Sequence, residues 1–166
     1  MTEELELRTI SPEAVPNAIE KAKQYRLLNQ PAEAESICRD VLDVQPDNQE
    51  AMIVLVLSMT DRFGQGATSG GSGGAQAMAT ELTDPYHRAY YGGIVRERQA
   101  RALMQKGMAS AFAYDGFREA MDWYQNAHAV RPEGDDDATL RWNSCLRAIR
   151  SNRLRPRVEE VELPLE

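Results

Sequence analysis

The 166-residue sequence contains no apolar run long enough to cross a membrane. Its longest apolar stretch, Ala51–Met59, has about half of the roughly 18 residues that a membrane helix needs. The first residues, Met1-Thr-Glu-Glu, do not have the basic and then apolar layout of a signal peptide. The sequence therefore predicts a cytoplasmic protein that does not bind membranes.

Basic residues are in the minority. The chain has 19 Lys and Arg against 26 Asp and Glu, which gives a formal net charge of −7. A nucleic-acid-binding protein needs a basic face to neutralise phosphates, and an acidic chain of this kind is poorly suited to that task. We therefore expect no nucleic-acid partner.

Residues that bind metals or carry out catalysis are scarce. The two histidines, His87 and His128, have no second His, Cys or paired acid at the spacing of metal ligands. Neither a Gly-x-Ser-x-Gly motif nor a nucleotide-binding glycine pattern occurs. The two cysteines, Cys38 and Cys145, are far apart in helical patterns, which favours reduced, buried thiols over a redox pair or a metal site. The sequence predicts no catalytic residue, no metal site and no cofactor.

Apolar residues recur at helical spacing along most of the chain. Together with proline, serine and asparagine at the expected starts and stops, this pattern predicts about seven helices. Their predicted ranges are 12–28, 31–44, 49–63, 75–82, 85–106, 116–130 and about 135–152.

The remaining sequence divides the chain into an arm, a helical domain and a tail. Residues 1–10 are predicted to be an extended arm, 11–152 the helical domain, and 153–166 a C-terminal tail. A Gly/Ser-rich segment, 64–74, is predicted to be a flexible loop inside the domain. Both ends alternate apolar and acidic residues, so pairing of Leu5–Leu7 with Val158–Leu163 as short strands is an alternative to disorder.

One spaced set of residues occurs twice with the same gaps. It reads Ala34, Cys38, Val41 and Pro46, and again Ala120, Tyr124, Ala127 and Pro132. In both copies the proline follows a predicted helix, where it stops that helix. A repeat unit cannot bury its apolar face alone and must stack on neighbouring units. The repetition therefore predicts a helical-repeat architecture.

These residues resemble the tetratricopeptide repeat. The stretch Ala22…Tyr25…Ala34…Cys38…Val41…Pro46 resembles one repeat, and Gly116…Pro132 resembles the second half of another. Between them, residues 49–85 resemble a degraded repeat with a lengthened loop. The resemblance implies an all-α fold, in which antiparallel helix pairs stack as a short right-handed solenoid. It also implies that the first helix of each pair lines a groove that binds a peptide or protein segment.

A cluster of basic residues on the predicted helix 85–106 is unusual in so acidic a chain. With basic residues of the first helix and one tyrosine, it forms a candidate partner-binding groove: Lys23, Arg26, Arg88, Tyr91, Arg96 and Arg101. A groove lined by these basic residues would suit a partner segment that is acidic or extended. The alternative is a solvated face with intrahelical pairs such as Glu97–Arg101. The neighbouring Gly92-Gly93 pair indicates either close helix packing or a notch for a peptide.

The sequence thus predicts a non-catalytic protein–protein interaction module, an adaptor or scaffold. Two alternatives stay open. One is a structural protein that self-associates, and the other is an accessory subunit of an enzyme, with a small-molecule pocket under the Gly-rich loop.

Overall fold

The computed structural model describes residues 4–65, 71–107 and 110–158, apart from the side chain of Ser72. Within these ranges the chain forms seven α-helices and no strand, which confirms the all-α prediction. The helices are α1 (Val15–Leu27), α2 (Pro31–Val44), α3 (Gln49–Asp61), α4 (Gly71–Thr80), α5 (Pro85–Gln105), α6 (Ser110–Ala129) and α7 (Asp137–Ser151). A short 3-10 turn, Pro12–Ala14, precedes α1.

Several helix starts follow from local side-chain chemistry. The Asn48 side chain accepts a hydrogen bond from the Ala51 N–H at 2.9 Å and caps α3. The Asp84 carboxylate accepts from the Tyr86 N–H at 2.8 Å, and Pro85 occupies the first turn of α5. Such caps satisfy backbone donors that have no partner inside the helix. The sequence signals at these starts are therefore sufficient to place them.

Two helices begin earlier than their sequence predicts. Helix α4 begins at Gly71, inside the segment 64–74 predicted as a loop, and α6 begins at Ser110 rather than at 116. Residues 66–70 of that loop and residues 108–109 lie outside the described residues. Buried Ala75 and Ala113 pack into the core, and this packing outweighs the weak helix propensity of the glycines.

The described parts of the two chain ends do not form the strands that their alternating pattern allows. Leu5 and Leu7 are almost fully exposed and do not form a strand, and Val158 is exposed as well. The rest of the second alternating segment, 159–163, lies outside the described residues. In the part of each end that is described, no strand pairing occurs.

The helices pack in chain order. Each helix contacts the next one along the chain, and in addition α1 contacts α3 and α3 contacts α5. Helices α1, α3 and α5 therefore form a contiguous layer. None of the described helices has both the length and the apolar character that a membrane crossing requires.

Pro46 and Pro132 aside, the residues of the repeated set are fully buried, and the two copies lie in two separate core clusters. Ala34, Cys38 and Val41 of α2 belong to one cluster, and Ala120, Tyr124 and Ala127 of α6 belong to the other. All six are 0% exposed. Pro46 and Pro132 follow the ends of α2 and α6. In each copy the spaced residues thus supply the buried side of their helix.

Both cysteines are free and buried, as the sequence predicts. Burial raises the pKa of the Cys38 thiol and of the Cys145 thiol to about 12. Because thiolates are the reactive form, both side chains serve as small apolar core residues at neutral pH.

Candidate functional site

The C-terminal turns of α1 and α3 meet the second half of α5 at one end of the helix layer. Asp61, the last residue of α3, joins the three helices. Its Oδ2 accepts from Arg26 Nε of α1 at 2.7 Å, and its Oδ1 accepts from Arg98 Nη1 of α5. Arg98 Nη1 also donates to Thr60 Oγ1 at 3.0 Å. One half-buried carboxylate therefore holds two arginines from different helices in fixed positions.

Two adjoining clefts open beside this carboxylate, and Asp61 lines both of them. One cleft, of about 240 Å³, lies between α3 and α5, and the other, of about 230 Å³, lies beside α1. We call the combined surface the arginine groove and define it by Arg26, Asp61, Arg98 and Arg101. Its other lining residues are Leu27, Asn29, Pro31, Thr60, Phe63, Gly64, Gln65, Ala102 and Gln105.

The arginine groove presents more positive than negative charge. The side chains of Arg26, Arg98 and Arg101 are 22%, 27% and 37% exposed, and that of Asp61 is 23% exposed. Three guanidinium groups thus share the surface with one carboxylate. The guanidinium fork matches the geometry of a carboxylate, so unused donor positions here suit an acidic ligand.

Glu97 lies beneath Arg101 and is 1% exposed. Its carboxylate accepts from Arg101 Nε at 2.9 Å and from the Tyr124 hydroxyl at 2.6 Å, and Arg141 Nη1 of α7 lies 3.4 Å away. Burial and the adjacent Glu97 raise the pKa of Tyr124 above its usual value, so the phenol keeps its proton and donates it. Arg101 Nη2 also donates to Ser144 Oγ of α7 at 3.0 Å, and its guanidinium lies 5.4 Å from the ring centroid of Phe117 of α6. This network holds Arg101 towards α6 and α7. The Glu97–Arg101 pair of the solvated-face alternative is present, but its carboxylate is buried rather than solvated.

A second buried carboxylate repeats the same pattern. Glu35 is 4% exposed and pairs with Arg39, four residues on, at 2.7 Å and with Arg62 of the next helix end at 2.8 Å. A buried charge is tolerated when partners of opposite charge satisfy it. In both networks a Glu therefore links its own helix to another through two arginines.

The six residues predicted to line a partner-binding groove lie at several places. Arg26 and Arg101 lie in the arginine groove. Lys23 pairs with Glu20 at 2.7 Å and with Glu50 of α3, and these hydrogen bonds raise the pKa of the lysine. Of these three residues, Arg26 and Arg101 thus line the arginine groove, whereas Lys23 lies outside its lining, beside the start of α3.

The other three have different surroundings. Arg88 donates to the backbone carbonyls of Leu82 and Thr83, both at 2.9 Å, and closes the turn between α4 and α5. Arg96 pairs with Glu119 of α6 at 3.2 Å. Tyr91 is half-buried and packs against both core clusters.

The Gly92-Gly93 pair is a site of close packing, one of the two interpretations that the sequence allows. A Cβ atom at Gly92 would lie 2.9 Å from the Trp123 ring, and one at Gly93 would lie 2.5 Å from the Tyr124 ring. These two rings from α6 fill the space that a peptide notch would need. The pair accordingly holds α5 against α6.

Sequence reasoning did not select Asp61 as a site residue. In the sequence, Asp61 stands at the polar end of the apolar helix α3, a position that indicates only where a helix ends. Its role depends on Arg26 and Arg98, which are distant in sequence, so helical periodicity alone gives no indication of it.

A further cleft, of about 430 Å³, lies between α6 and α7. It is lined by Tyr124, Gln125, His128, Ala138, Thr139, Trp142 and Asn143. Arg131 Nη1 lies 3.1 Å from His128 Nε2, and because an arginine only donates, Nε2 accepts. The proton of a neutral His128 is then on Nδ1 and is donated to Thr139 Oγ1 at 3.0 Å. The exposed lining of the cleft is thus mainly apolar, and it includes one half-buried indole, that of Trp142.

Within the described ranges, no group of three or more His, Cys, Asp or Glu side chains is placed to hold a metal ion. Comparisons of the chain with protein-family models, with curated proteins and with solved structures gave no match.

Proposed function

We propose that this chain is a non-catalytic protein–protein interaction module with a short right-handed, tetratricopeptide-like solenoid. Two features support the proposal. The helices pack in chain order with an additional α1–α3–α5 layer, which is the contact pattern expected of stacked helix pairs. The repeated residues of α2 and α6, Pro46 and Pro132 aside, are also all fully buried.

The ligand of this module is an extended segment of a partner protein that carries several carboxylates. The single observation that carries this assignment is that Arg26 and Arg98 meet on Asp61, which lines two adjoining clefts, and that Arg101 lines one of these clefts with Arg98. Arginine clusters recognise acidic motifs through charge-assisted, often bidentate hydrogen bonds. A carboxylate of the partner would compete with Asp61 for the guanidinium donors of Arg26 and Arg98.

Binding relies on preorganisation. Asp61 fixes Arg26 and Arg98, and Glu97 fixes Arg101, so these long side chains are ordered before a partner arrives. Ordering a long side chain on binding costs about 0.5–1.5 kcal/mol, and the intramolecular pairs remove part of that cost. Side-chain order of this kind favours a rigid binding surface.

The test uses a fluorescein-labelled peptide that alternates Glu and Leu, with fluorescence anisotropy as the readout. We expect Arg98→Gln and Arg101→Gln each to weaken binding about fivefold to tenfold, because each removes one charged donor. Binding should also weaken as salt rises from 50 to 300 mM. A matching Gln–Leu peptide should bind poorly.

Arg118→Gln is the matched control, since Arg118 is exposed on α6 away from the arginine groove. Circular dichroism of each variant checks that the fold is retained. Equal affinity of the Glu–Leu and Gln–Leu peptides, or equal loss in Arg118→Gln, would contradict the proposed groove. Arg98→Gln keeps the test informative if Arg101→Gln proves unstable, because Arg98 does not contact buried Glu97.

The cleft between α6 and α7 favours a second candidate function, that of an accessory subunit with a small-molecule pocket. Its volume of about 430 Å³ lies within the range of small-ligand sites, and Trp142 forms part of its wall. A ligand there would change the fluorescence of Trp142. Screening small aromatic compounds by tryptophan fluorescence, with Trp142→Phe as control, tests this function independently of the arginine groove.

A further inference from the structure

The chain beyond the last described residue has the chemistry that the arginine groove selects. Residues 158–166 read Val-Glu-Glu-Val-Glu-Leu-Pro-Leu-Glu, in which acidic and apolar residues are interspersed. The carboxylates belong to Glu159, Glu160, Glu162 and Glu166. We call 159–166 the acidic segment. It lies outside the described residues, and the described chain that leads to it ends at residue 158.

The described chain ends on the side of the molecule where α5 ends. Helices α5, α6 and α7 follow each other through short connections and pack in order, as antiparallel neighbours do. After α7, Leu154 is buried, and the Arg157 guanidinium lies 4.2 Å from the ring centroid of Phe112 and 3.9 Å from Asp115. Residue 157 therefore lies beside the first turns of α6, close to the end of α5.

From this position the acidic segment is long enough to reach the arginine groove. Packed helices lie about 8–10 Å apart. Helix α5 is therefore about 10 Å from α6, and α3, which packs on α5, is up to ~20 Å from α6. An extended chain covers about 3.3 Å per residue, so Glu159, Glu160 and Glu162 reach ~7–17 Å beyond Arg157. That distance covers the one helix spacing to Arg98 and Arg101 of α5, whereas only Glu166, at up to ~30 Å, reaches as far as α3.

We propose that the acidic segment occupies the arginine groove of its own chain and competes with the partner. This inference rests on the proposed function, since it assigns an occupant to the same groove. Charge complementarity supports it, because Glu159, Glu160 and Glu162 meet a surface that has three arginines and one carboxylate. A short tether raises the local concentration of the segment to the millimolar range, so even a weak contact would be populated.

The N-terminal arm has similar chemistry, but the structure places it outside the arginine groove. Glu4, Leu5, Glu6 and Leu7 also alternate, and all four are exposed. Within the described residues, neither Glu4 nor Glu6 makes an ion pair with an arginine of the groove. The arm is therefore a matched control for charge and composition.

The experiment measures binding of the labelled Glu–Leu peptide to the full chain. In the tail variant, Glu159, Glu160 and Glu162 are all replaced by Gln, and in the arm variant Glu3, Glu4 and Glu6 are all replaced by Gln. We expect the tail variant to bind the probe about threefold to tenfold more tightly than the unaltered chain, and the arm variant to bind it equally well. Adding Arg98→Gln to the tail variant should abolish most of the gain.

The outcomes separate this inference from the proposed function. One outcome would overturn the intramolecular contact alone: the probe binds the unaltered chain and the tail variant equally well, and Arg98→Gln weakens that binding in both. The intramolecular contact would also be overturned if the tighter probe binding of the tail variant disappears as the protein is diluted. That result would show that the acidic segment binds the groove of another copy of the chain. A lack of probe binding in all variants would overturn both proposals.

Discussion

The ring of Tyr124 lies across Gly93, so that a Cβ atom added at Gly93 would lie 2.5 Å from Cε1 of that ring. The same ring carries the hydroxyl that donates to Glu97 at 2.6 Å, one turn further along α5. A side chain at position 93 would displace the ring from the path it takes to Glu97. Gly93 and Glu97 therefore act together to seat one tyrosine of α6 on α5.

Gly93→Ala should destabilise the protein by about 1–3 kcal/mol, because the added methyl group overlaps a buried ring that has no space to move. The matched control is Gly73→Ala in α4, where a Cβ would meet nothing within 4 Å. That substitution should leave stability unchanged or raise it by up to about 1 kcal/mol through helix propensity. Urea unfolding followed by circular dichroism measures both. A neutral Gly93→Ala would contradict the close contact.

The contrast between Gly93 and Tyr124 shows what the sequence can predict here. A glycine pair inside a helix indicates a close approach, but nothing in the local pattern identifies the partner. Helix α2 is predicted at its observed bounds, Pro31–Val44, because proline at its start and the Gln45-Pro46 stop are local signals. The start of α6 at Ser110 depends on the burial of Ala113 instead, and that contact is made with a distant part of the chain.

The same reasoning applies to the candidate site. Sequence spacing predicts the intrahelical pair Glu97–Arg101, because residues four apart face each other on a helix. It does not predict that Asp61 holds Arg26 and Arg98, since these ion pairs join three separate helices. The sequence thus shows that basic residues cluster, but the carboxylates that pair with them are brought together only by the fold.

The hydrogen bond between Tyr124 and Glu97 should contribute measurably to stability. Tyr124→Phe removes one buried hydrogen bond to a charged group, and we expect it to lower the free energy of unfolding by about 1.5–3 kcal/mol. In a Glu97→Gln background the loss should be smaller, because the acceptor is no longer charged. A double-mutant cycle measured by urea unfolding gives the coupling between the two residues. Additive effects would show that the bond contributes no coupling energy.

The two cysteines predict a loss of stability at alkaline pH. The folded pKa of each thiol is about 12, against an ordinary value of 9.0, so the unfolded chain ionises first as the pH rises above 9. Their contribution is fully present below pH 9 and is lost progressively towards pH 12, at up to about 1.4 kcal/mol per pH unit for each thiol. Urea midpoints at pH 8 and pH 10 measure this change.

The control for the alkaline effect is the double variant Cys38→Ala and Cys145→Ala. Its free energy of unfolding should fall less between pH 8 and pH 10 than that of the unaltered chain, whatever its stability at pH 8. An identical fall in both proteins would assign the effect to other groups. Tyr91 and Tyr124 also have a raised pKa, but they ionise from about pH 10 upward in the unfolded chain.

Under the proposed repeat architecture, Ala34 and Ala120 should respond alike to enlargement. Both are 0% exposed, so Ala34→Leu and Ala120→Leu should each cost about 1–3 kcal/mol through overpacking of a helix contact. Ala32→Leu is the control, because Ala32 is exposed on the same helix α2. Thermal unfolding of the three variants measures the effect. A tolerated Ala34→Leu with a damaging Ala120→Leu would show that the two positions are not equivalent.

Asp61 sets the balance of charge in the arginine groove, and its removal should strengthen the binding of acidic ligands. Asp61→Asn frees Arg26 and Arg98 from their shared carboxylate, so the labelled Glu–Leu peptide should bind several-fold more tightly and with a steeper salt dependence. Glu50→Gln is the matched control, because it changes the net charge equally but lies at Lys23, away from the two clefts. Asp61 also orders the two arginines, so the opposite result, weaker binding in Asp61→Asn, would mean that this loss of side-chain order outweighs the positive charge that the substitution uncovers.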